Sequence, residues 1–511
     1  MRRACRSAFW PIVAGLFLIA PLAGCTASGH PAAEAEGGSA DRRIRDLMVA
    51  QAPLDEAADQ IRDLADWGRK DGYGGVVVSP EERRLRLYWK GDLPDDVAGL
   101  VDRLRKSVDI DVRKSAHSQA ELFAAVQRLE DAHLNGRSSG EVSVADLGSY
   151  RIVELGPSPD ASSIWVSAEP FSGLQPPGRL DPAPLAASLR EVAAVPVKVR
   201  MRVANPDAPA LQVARPGAAP SVARAGTGDT CATPTWSGPD PAPTGPGCTR
   251  LNDGKPFSGG ARWIHQGDEP IHDQGCTTAF GVHDQNNATY LLTAHHCVAG
   301  AETGPVTTFG RGDLGTIEAD TPLAALLSPK QSDDPTQTKA GGNLPDLGLI
   351  AAPSGNRIYD GGYDTGTTKQ VSKADHTNPG DYVCVSSSFS KTFCNIRVDR
   401  LAGHSPTTGF YVGQCQPGGK GCVAADVHAS GSPVFSLDGG DPAHKVIAKG
   451  VVHRVGSDAA LDGSSCPSSV PKGDNTENCA EEVHFSDLAA ALEATRTGYP
   501  DFTDRYLAIN D

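Results

Sequence analysis

The sequence lacks the features of several functional classes. Its 511 residues carry 47 lysines and arginines against 62 aspartates and glutamates, for a net charge of −15, and contain no sustained basic run. Nucleic acid is therefore not expected as a partner, nor is an anionic lipid surface as the main one. Aromatic residues make up only 6% of the chain, which favours small-residue β structure over a large helical core. A chain of this length is expected to contain two or three domains.

Close Cys-x-x-Cys pairs are also missing, so we expect no metal centre, and no cofactor is expected either. The 12 cysteines are better explained by export. When Cys5 is removed with a signal segment and Cys25 is assigned to lipid, ten remain, and an even number predicts disulfides. Proximity in the sequence predicts Cys231 with Cys248, Cys276 with Cys297, and Cys384 with Cys394. Spacing leaves three pairings open among Cys415, Cys422, Cys466 and Cys479.

The N-terminus resembles an export signal. A basic start, Met1 to Arg6, precedes an apolar stretch, Trp10 to Ala23, which is too short for a spanning helix. Leu22-Ala23-Gly24-Cys25 resembles a bacterial lipobox, in which cleavage before the cysteine exposes Cys25 for acylation. We therefore expect a lipoprotein-type signal peptide over 1–24 and a tether over 25–41. The protein would be extracytoplasmic, anchored to the cell membrane by lipid on Cys25 or released extracellularly after processing.

An α+β prosegment is predicted over residues 42–203. An incomplete helical stripe from 42 to 69, broken at Pro53, predicts two helices. Two similar units follow, each in the order strand, strand, helix, strand. The predicted elements are 75–79, 84–89, 92–106 and 108–112 in the first unit, and 150–155, 162–167, 181–192 and 197–203 in the second. Between residues 70 and 203 no grouping of His, Cys and carboxylate supports chemistry, so we expect a folding aid, an inhibitor or a binding module.

The remaining chain divides into a linker and a catalytic domain. Residues 204–257 are rich in Pro, Gly and Ala, so they cannot bury a core and predict an extended linker open to cleavage. Beyond them, short apolar runs separated by Gly, Asp, Asn and Ser predict antiparallel barrels. We expect a protease domain over 258–498 and a C-terminal tail over 499–511.

Three segments of that domain contain the parts of a serine-protease active site. The segment Leu291 to Cys297 offers His296 as a base, Pro345 to Ile350 offers Asp346 as an orienting carboxylate, and Ser430 to Phe435 offers Ser430 as a nucleophile. A serine hydroxyl needs a neutral imidazole to take its proton, and a carboxylate fixes the tautomer of that imidazole. The chain order His, Asp, Ser belongs to the two-barrel chymotrypsin-like architecture. Asp360 and Asp364 are alternatives to Asp346.

The segments Cys276 to Val282 and Tyr290 to Cys297 resemble the streptogrisin and alpha-lytic branch of the chymotrypsin-like (trypsin-like) serine proteases, over about residues 258–496. In that branch a cysteine is bridged to one directly after the catalytic histidine. This implies the disulfide Cys276–Cys297 and assigns His296, and not His295, as the base. The resemblance also implies an all-β catalytic domain of two antiparallel six-stranded β-barrels with a C-terminal helix. In the family, an α+β prosegment assists folding and inhibits the enzyme until it is cut away.

The resemblance further implies an oxyanion hole formed by the backbone N–H groups of His428 and Ser430. The family has Gly-Asp where this chain has His428-Ala429, and losing that acid removes an ion pair that braces the loop.

Substrate-binding residues are implied in the segment His453, Arg454 and Val455, which is similar to the family's strand that pairs with substrate. The cations of His453 and Arg454 could favour an acidic side chain before the scissile bond. Alternatively, Arg454 points to solvent and His453 hydrogen-bonds Asp346.

The sequence therefore predicts an exported serine endopeptidase, made as a zymogen, whose partners are a protein or peptide substrate and its own prosegment. The replacement of Gly-Asp by His428-Ala429 leaves open a protease-like binding lipoprotein that has lost turnover. An esterase or lipase is disfavoured because Gly-x-Ser-x-Gly is absent, His428 and Ser432 standing in place of both glycines.

Overall fold

The structure is a computed structural model of the chain. It describes residues 38–65, 70–134, 140–144, 148–170, 181–201, 248–265, 275–298, 305–308, 313–317, 346–363, 365–403, 410–416, 422–426, 428–456, 479–497 and 508–509. The predicted signal peptide, Cys25, Asp364 and most of the predicted linker lie outside the described residues. None of the helices that it describes is long and apolar enough to cross a membrane.

The N-terminal region begins with one long helix, α1 (Gly38–Leu64). The prediction of two helices was wrong, because Pro53 lies inside α1. An interior proline removes one backbone hydrogen bond and costs about 3 kcal/mol. Apolar burial on both sides of Pro53 offsets this loss, since Met48 packs into a core of the C-terminal half and Ile61 into the core of the first α+β unit.

The first α+β unit has the predicted order of elements. It comprises β1 (Tyr73–Ser79), β2 (Arg84–Trp89), α2 (Asp95–Leu104) and β3 (Asp109–Lys114). Strands β1 and β2 are antiparallel, whereas β2 and β3 are parallel and are connected through α2. Val97, Leu100 and Val101 form the buried face of α2, as their spacing of one helical turn predicts.

The second unit repeats this arrangement with two additional elements. It comprises α3 (Gln119–His133), β4 (Gly140–Val144), β5 (Gly148–Pro157), β6 (Ile164–Pro170), α4 (Ala183–Ala193) and β7 (Val197–Met201). Again β5 and β6 are antiparallel and β6 and β7 are parallel. The sequence analysis missed α3 and β4. A capping box marks the start of α3, in which Ser118 and Glu121 each bond the other's backbone N–H.

The C-terminal half is built mainly of strands. Its elements are β8 (Phe257–Gly259), β9 (Arg262–His265), β10 (Cys276–Thr277), β11 (Gly281–His283), β12 (Thr289–Thr293), α5 (His295–Val298), β13 (Pro305–Thr308), β14 (Asp313–Ile317), β15 (Gly348–Ala351), β16 (Ser354–Tyr359), β17 (Thr368–Ala374), β18 (Tyr382–Ser386), β19 (Thr392–Ala402), β20 (Phe410–Cys415), β21 (Ala425–Asp426), β22 (Pro433–Leu437), β23 (Lys445–Val455), β24 (Cys479–Ala480), β25 (Glu482–Asp487), α6 (Leu488–Thr497) and β26 (Ala508–Ile509).

Two large sheets organise these strands. The first is a curled sheet in the order β10-β9-β13-β14-β15-β12-β11-β26. The second contains the order β22-β18-β19-β20-β25-β23 and closes on itself, because β22 also pairs with β23. These six strands form a closed barrel, which β17, β16 and β8 extend from β23. The predicted two-barrel, all-β fold with a C-terminal helix is confirmed.

Disulfides cross-link this half. The predicted Cys276–Cys297 and Cys384–Cys394 bonds are confirmed. A bond between Cys415 and Cys422 selects one of the three open pairings. Cys248 and Cys479 are also disulfide-bonded. Cys231, the predicted partner of Cys248, and Cys466, which the Cys415–Cys422 bond leaves for Cys479, lie outside the described residues.

The N-terminal region packs directly on the closed barrel. Val78 N–H donates to Pro379 O at 2.9 Å, and Gly403 N–H donates to Leu155 O at 2.7 Å. Gly380 has a φ of +97°, and a Cβ there would lie 1.8 Å from Val78 O. Only glycine allows so close an approach of the two backbones, so the contact is part of the fold of both regions.

A buried lysine joins α1 to the barrel. The side chain of Lys449 on β23 is 0% exposed, and its Nζ donates to Asp55 Oδ2 at 2.8 Å. It also donates to His376 O at 2.6 Å and to Asp381 Oδ2 at 3.4 Å. A charge so deeply buried is tolerated only because it is paired and hydrogen-bonded.

Candidate active site

A strand and a disulfide position His296. The apolar strand β12 runs into the short helix α5, and Cys297 is bonded to Cys276 on β10. Leu291 and Leu292 of β12 are both buried in the apolar interior. His296 is thereby fixed between a buried strand and a cross-linked neighbour.

Asp346 lies beside His296 because the next strand along the chain pairs with β12. In that pairing Thr293 lies opposite Gly348, two residues after Asp346. The His296 N–H donates to Asp346 Oδ1 at 2.8 Å, and His296 Nδ1 lies 2.5 Å from Asp346 Oδ2. Two contacts to one carboxylate hold the imidazole in one orientation, with Nε2 left as the proton acceptor.

A second histidine contacts the same carboxylate. His453 Nδ1 lies 2.6 Å from Asp346 Oδ2, as one of the two interpretations of His453 predicted. The His453 ring is stacked on Phe410 at a centroid distance of 4.3 Å and meets the His296 ring edge-on at 5.8 Å. Asp346 therefore contacts two imidazole rings, one from each sheet.

These contacts shift the three pKa values in different directions. Burial acts to raise the pKa of Asp346, but the charges and hydrogen bonds of His453 and His296 hold it well below its usual range. For His296, burial acts to lower the pKa, and the hydrogen bond and charge of Asp346 outweigh it, so the pKa is raised. Burial prevails at His453, whose pKa is lowered. The site thus combines an ionised carboxylate with two imidazoles of unequal basicity.

Ser430 lies three residues before β22, in a turn that packs against β10 and β12. The Ser430 carbonyl oxygen accepts the Thr277 N–H at 3.0 Å. The following residue, Gly431, has a φ of +81°, and a Cβ there would lie 2.2 Å from Thr277 O and 2.5 Å from Thr293 Oγ1. Glycine therefore permits the close packing that brings Ser430 to the end of β12. Ser430 Oγ forms no hydrogen bond with a residue that the structure describes, and catalytic hydrogen bonds often tighten only when substrate binds.

The loop before Ser430 differs from the predicted oxyanion hole. The His428 N–H donates to Asp426 Oδ1 at 2.9 Å, so it does not face the place where an oxyanion would form. Asp426 is fully buried, and its Oδ2 accepts the Ser390 hydroxyl at 2.5 Å. Asp426 braces the loop from a position three residues before Ala429, a role that the sequence did not predict. Within the described part of the chain, the Ser430 N–H has no acceptor.

The remaining predicted residues lie on the outer end of β23. Arg454 does not simply point to solvent, because its Nη2 lies 2.9 Å from Glu154 Oε1 of the N-terminal region. Val455 packs against the apolar interior of the closed barrel. The Val452 N–H donates to Ser432 O at 2.9 Å. Beyond Val452, β23 pairs only with β25 among the described strands.

Among the residues that the structure describes, two groups of side chains have potential metal-ligand atoms within 4.8 Å of one another. The first is His296, Asp346 and His453, whose atoms already make the contacts given above. The second is Glu154, Glu482 and His484, beside the guanidinium groups of Arg400 and Arg454. Positive charge at the second group opposes a cation there.

The arrangement of strands defines the class of fold. A closed six-stranded barrel, a curled sheet beside it and the helix α6 after β25 form the chymotrypsin-like double-barrel fold. His296 and Asp346 come from one sheet, whereas Ser430 and His453 come from the other.

No family model matches the chain, and no curated protein matches it significantly. Among solved structures it is similar to the Nocardiopsis protease NAPase, with 16% identity and a TM-score of 0.29 over 50% of this chain and 98% of that one. It is similar to Thermobifida fusca protease A, with 16% identity and a TM-score of 0.28 over 50% of this chain and 98% of that one. A glutamic acid specific serine protease that uses a histidine triad in substrate binding gives 16% identity and a TM-score of 0.29, over 50% of this chain and 100% of that one.

Proposed function

We propose that the chain is a serine endopeptidase that hydrolyses peptide bonds through an acyl-enzyme, with His296 as base, Asp346 as orienting carboxylate and Ser430 as nucleophile. The observation that carries this proposal is the double contact of one buried carboxylate with His296, through the backbone N–H at 2.8 Å and the ring Nδ1 at 2.5 Å. An ordinary structural histidine does not require both contacts. A general base that must stay in one tautomer does.

The proposed reaction begins when Ser430 Oγ attacks the substrate carbonyl and His296 Nε2 takes the serine proton. The Ser430 N–H donates to the oxyanion that forms. His296 then gives the proton to the leaving amine, and a water molecule, deprotonated by the same imidazole, releases the acyl group. Asp346 remains ionised throughout and stabilises the imidazolium, in keeping with its lowered pKa.

The oxyanion hole is completed only after a local change. The His428 N–H must leave Asp426 Oδ1, to which it donates at 2.9 Å, before it can bind an oxyanion. Loss of one oxyanion donor typically slows a peptidase by about 10²–10³-fold. We therefore expect the intact chain to be a slow form whose loop rearranges on activation.

Residues 42–203 would serve as the prosegment of an exported precursor, anchored through lipid on Cys25 until the linker is cut. Support comes from the contacts of this region with the closed barrel, such as Val78 with Pro379 and Asp55 with Lys449. Removing the region would expose a lysine side chain that is 0% exposed in the intact chain. Such a change can alter the barrel that carries Ser430.

A fluorophosphonate probe tests the proposed function directly. Purified protein, intact and cut in the linker, is treated with the probe, and mass spectrometry locates the adduct. We expect labelling at Ser430 that is lost in Ser430→Ala and in His296→Ala. Ser432→Ala is the matched control, because Ser432 is buried two residues away and its hydroxyl has no hydrogen-bond partner among the described residues. Failure of a folded, processed protein to label at Ser430 would contradict the proposal.

A further inference from the structure

A buried carboxylate of the N-terminal region lies in a cationic site on the closed barrel. Glu154 on β5 has a side chain only 3% exposed, and its Oε1 lies 2.9 Å from both Arg454 Nη2 and His484 Nδ1. Its Oε2 lies 3.5 Å from Arg400 Nη2. Although burial acts to raise the pKa of Glu154, the neighbouring His484 and Arg454 lower it to about 2. The site is therefore built to hold an ionised carboxylate.

The groups that receive Glu154 all belong to the barrel. Arg400 lies on β19, His484 on β25 and Arg454 on β23, which are three of the strands of the closed ring. Arg400 also contacts Asp399 at 2.5 Å and Glu482 at 3.4 Å. Among the described residues, however, Glu154 is the only carboxylate within ion-pair distance of Arg454. Without Glu154, this guanidinium would have no anionic partner among the described residues.

The cationic site around Glu154 lies next to the proposed catalytic centre, because Arg454 and His453 are neighbours in the sequence. Arg454 follows His453, whose Nδ1 lies 2.6 Å from Asp346 Oδ2. One edge of β23 pairs with β22, and this pairing ends at Val451 and Val452, next to Gly431. Beyond Val452, that edge of β23 has no paired strand among the described residues. An extended peptide that paired with the open edge of β23 would therefore run past Ser430 and past Arg454. Side chains of such a strand alternate in direction, so every second one would lie on the side of Arg454.

We propose that Arg454, His484 and Arg400 form a subsite for an acidic side chain of an extended peptide, and that Glu154 fills this subsite in the intact chain. The identification of that peptide as a substrate rests on the proposed peptidase function. One guanidinium nitrogen lies near each oxygen of Glu154, and an imidazole nitrogen also lies near Oε1; such a set of groups favours a carboxylate over an amide. An acidic substrate side chain can therefore enter the subsite only after Glu154 and the N-terminal region have left it.

The test uses the full chain with Ser430→Ala, so that binding is measured without turnover. The probes are two capped, extended hexapeptides that differ only in central glutamates or glutamines, and the readout is isothermal titration calorimetry. In the Glu154→Gln chain we expect the glutamate peptide to bind about 10- to 100-fold tighter than its glutamine counterpart, as expected for a hydrogen bond to a charged group. With Glu154 present, we expect this preference to be absent because the subsite is occupied.

Adding Arg454→Gln to the Glu154→Gln chain should abolish the preference, and Arg454→Lys should restore part of it. Arg397→Gln, on the same strand as Arg400 but outside the contacts of Glu154, should leave the preference unchanged. Equal binding of the two peptides, binding of neither, or a preference that survives Arg454→Gln would overturn the proposal. Labelling of the parent protein at Ser430, with no glutamate preference in the Ser430→Ala chains, would support the peptidase and contradict the subsite. A glutamate preference without labelling of the parent protein would support the subsite and contradict the peptidase.

Discussion

Replacing Lys449 by methionine tests how the N-terminal region is held on the barrel. Methionine keeps an unbranched stem of similar length but removes the ammonium group that bonds Asp55 Oδ2 at 2.8 Å and Asp381 Oδ2 at 3.4 Å. All three side chains are at most 2% exposed, so water cannot take the place of the lost cation. Breaking a buried ion pair from one side typically costs about 3–5 kcal/mol.

This loss is measurable in urea unfolding followed by tryptophan fluorescence. With a slope of about 3 kcal/mol per M, the midpoint should fall by about 1–2 M. The loss should be smaller at acid pH, because carboxyl groups left without a cation take up protons as the pH falls.

The matched control is Lys373→Met. Lys373 Nζ also contacts a carboxylate, Asp375 Oδ2, at 2.9 Å, but the Lys373 side chain is 52% exposed. An exposed ion pair contributes about 0–1 kcal/mol, so this variant should unfold close to the parent midpoint. Equal effects of the two substitutions would refute the reasoning, since they would show that burial of Lys449 does not decide its contribution.

Two further predictions concern the proposed catalytic centre. Because the pKa of His296 is raised and only the neutral ring accepts the serine proton, kcat/KM should fall as the pH drops through a value above about 6.5; an acid limb well below that value would contradict the His296–Asp346 pairing. Gly431→Ala should prevent labelling and lower stability by at least about 1–3 kcal/mol, because its Cβ would lie 2.2 Å from Thr277 O at a φ of +81°. Thermal unfolding measures this loss, and Gly362→Ala, where a Cβ meets no atom within 4 Å, should have little effect.

Local pattern predicted much of the fold. The apolar spacing on α2, the alternation in β7 and the short apolar runs of the C-terminal half each reflect a single element, and the structure contains those elements at nearly the expected positions. The Cys276–Cys297 bond was implied by the resemblance around His296 and is confirmed. The juxtaposition of His296 and Asp346 followed from a motif order that has one common architectural solution.

What the sequence did not predict depends on contacts between distant residues. Lys449 bonds Asp55, 394 residues away, and Arg454 bonds Glu154, 300 residues away. Nothing near Glu154 distinguishes it from an exposed acid on a strand. Pro53 was misinterpreted for the same reason, because the burial that holds α1 together comes from both halves of the chain.

The interface of α1 with the barrel also contains a pair of carboxyl groups that should make its stability depend on pH. Burial, followed by a hydrogen bond with Asp375, raises the pKa of Asp59 to about 8, although Arg62 and Lys449 oppose the shift. The pKa of Asp375 is lowered, since the charge of Lys449 and the bond with Asp59 outweigh its burial. Near pH 7, Asp59 and Asp375 therefore share one proton, which resides on Asp59.

The sign of the effect follows from the direction of the Asp59 shift. A carboxyl whose pKa is higher in the folded state contributes stability fully below its unfolded pKa of about 3.9, and this contribution is lost as the pH rises toward about 8. We therefore expect the urea midpoint to fall between pH 5 and pH 8 in the parent chain. Asp59→Asn should flatten this fall, whereas Asp63→Asn, at an exposed position one helical turn later, should preserve it. An identical pH slope in the parent and Asp59→Asn would show that the shared proton does not stabilise the interface, and would remove alkaline pH as a means of loosening the N-terminal region.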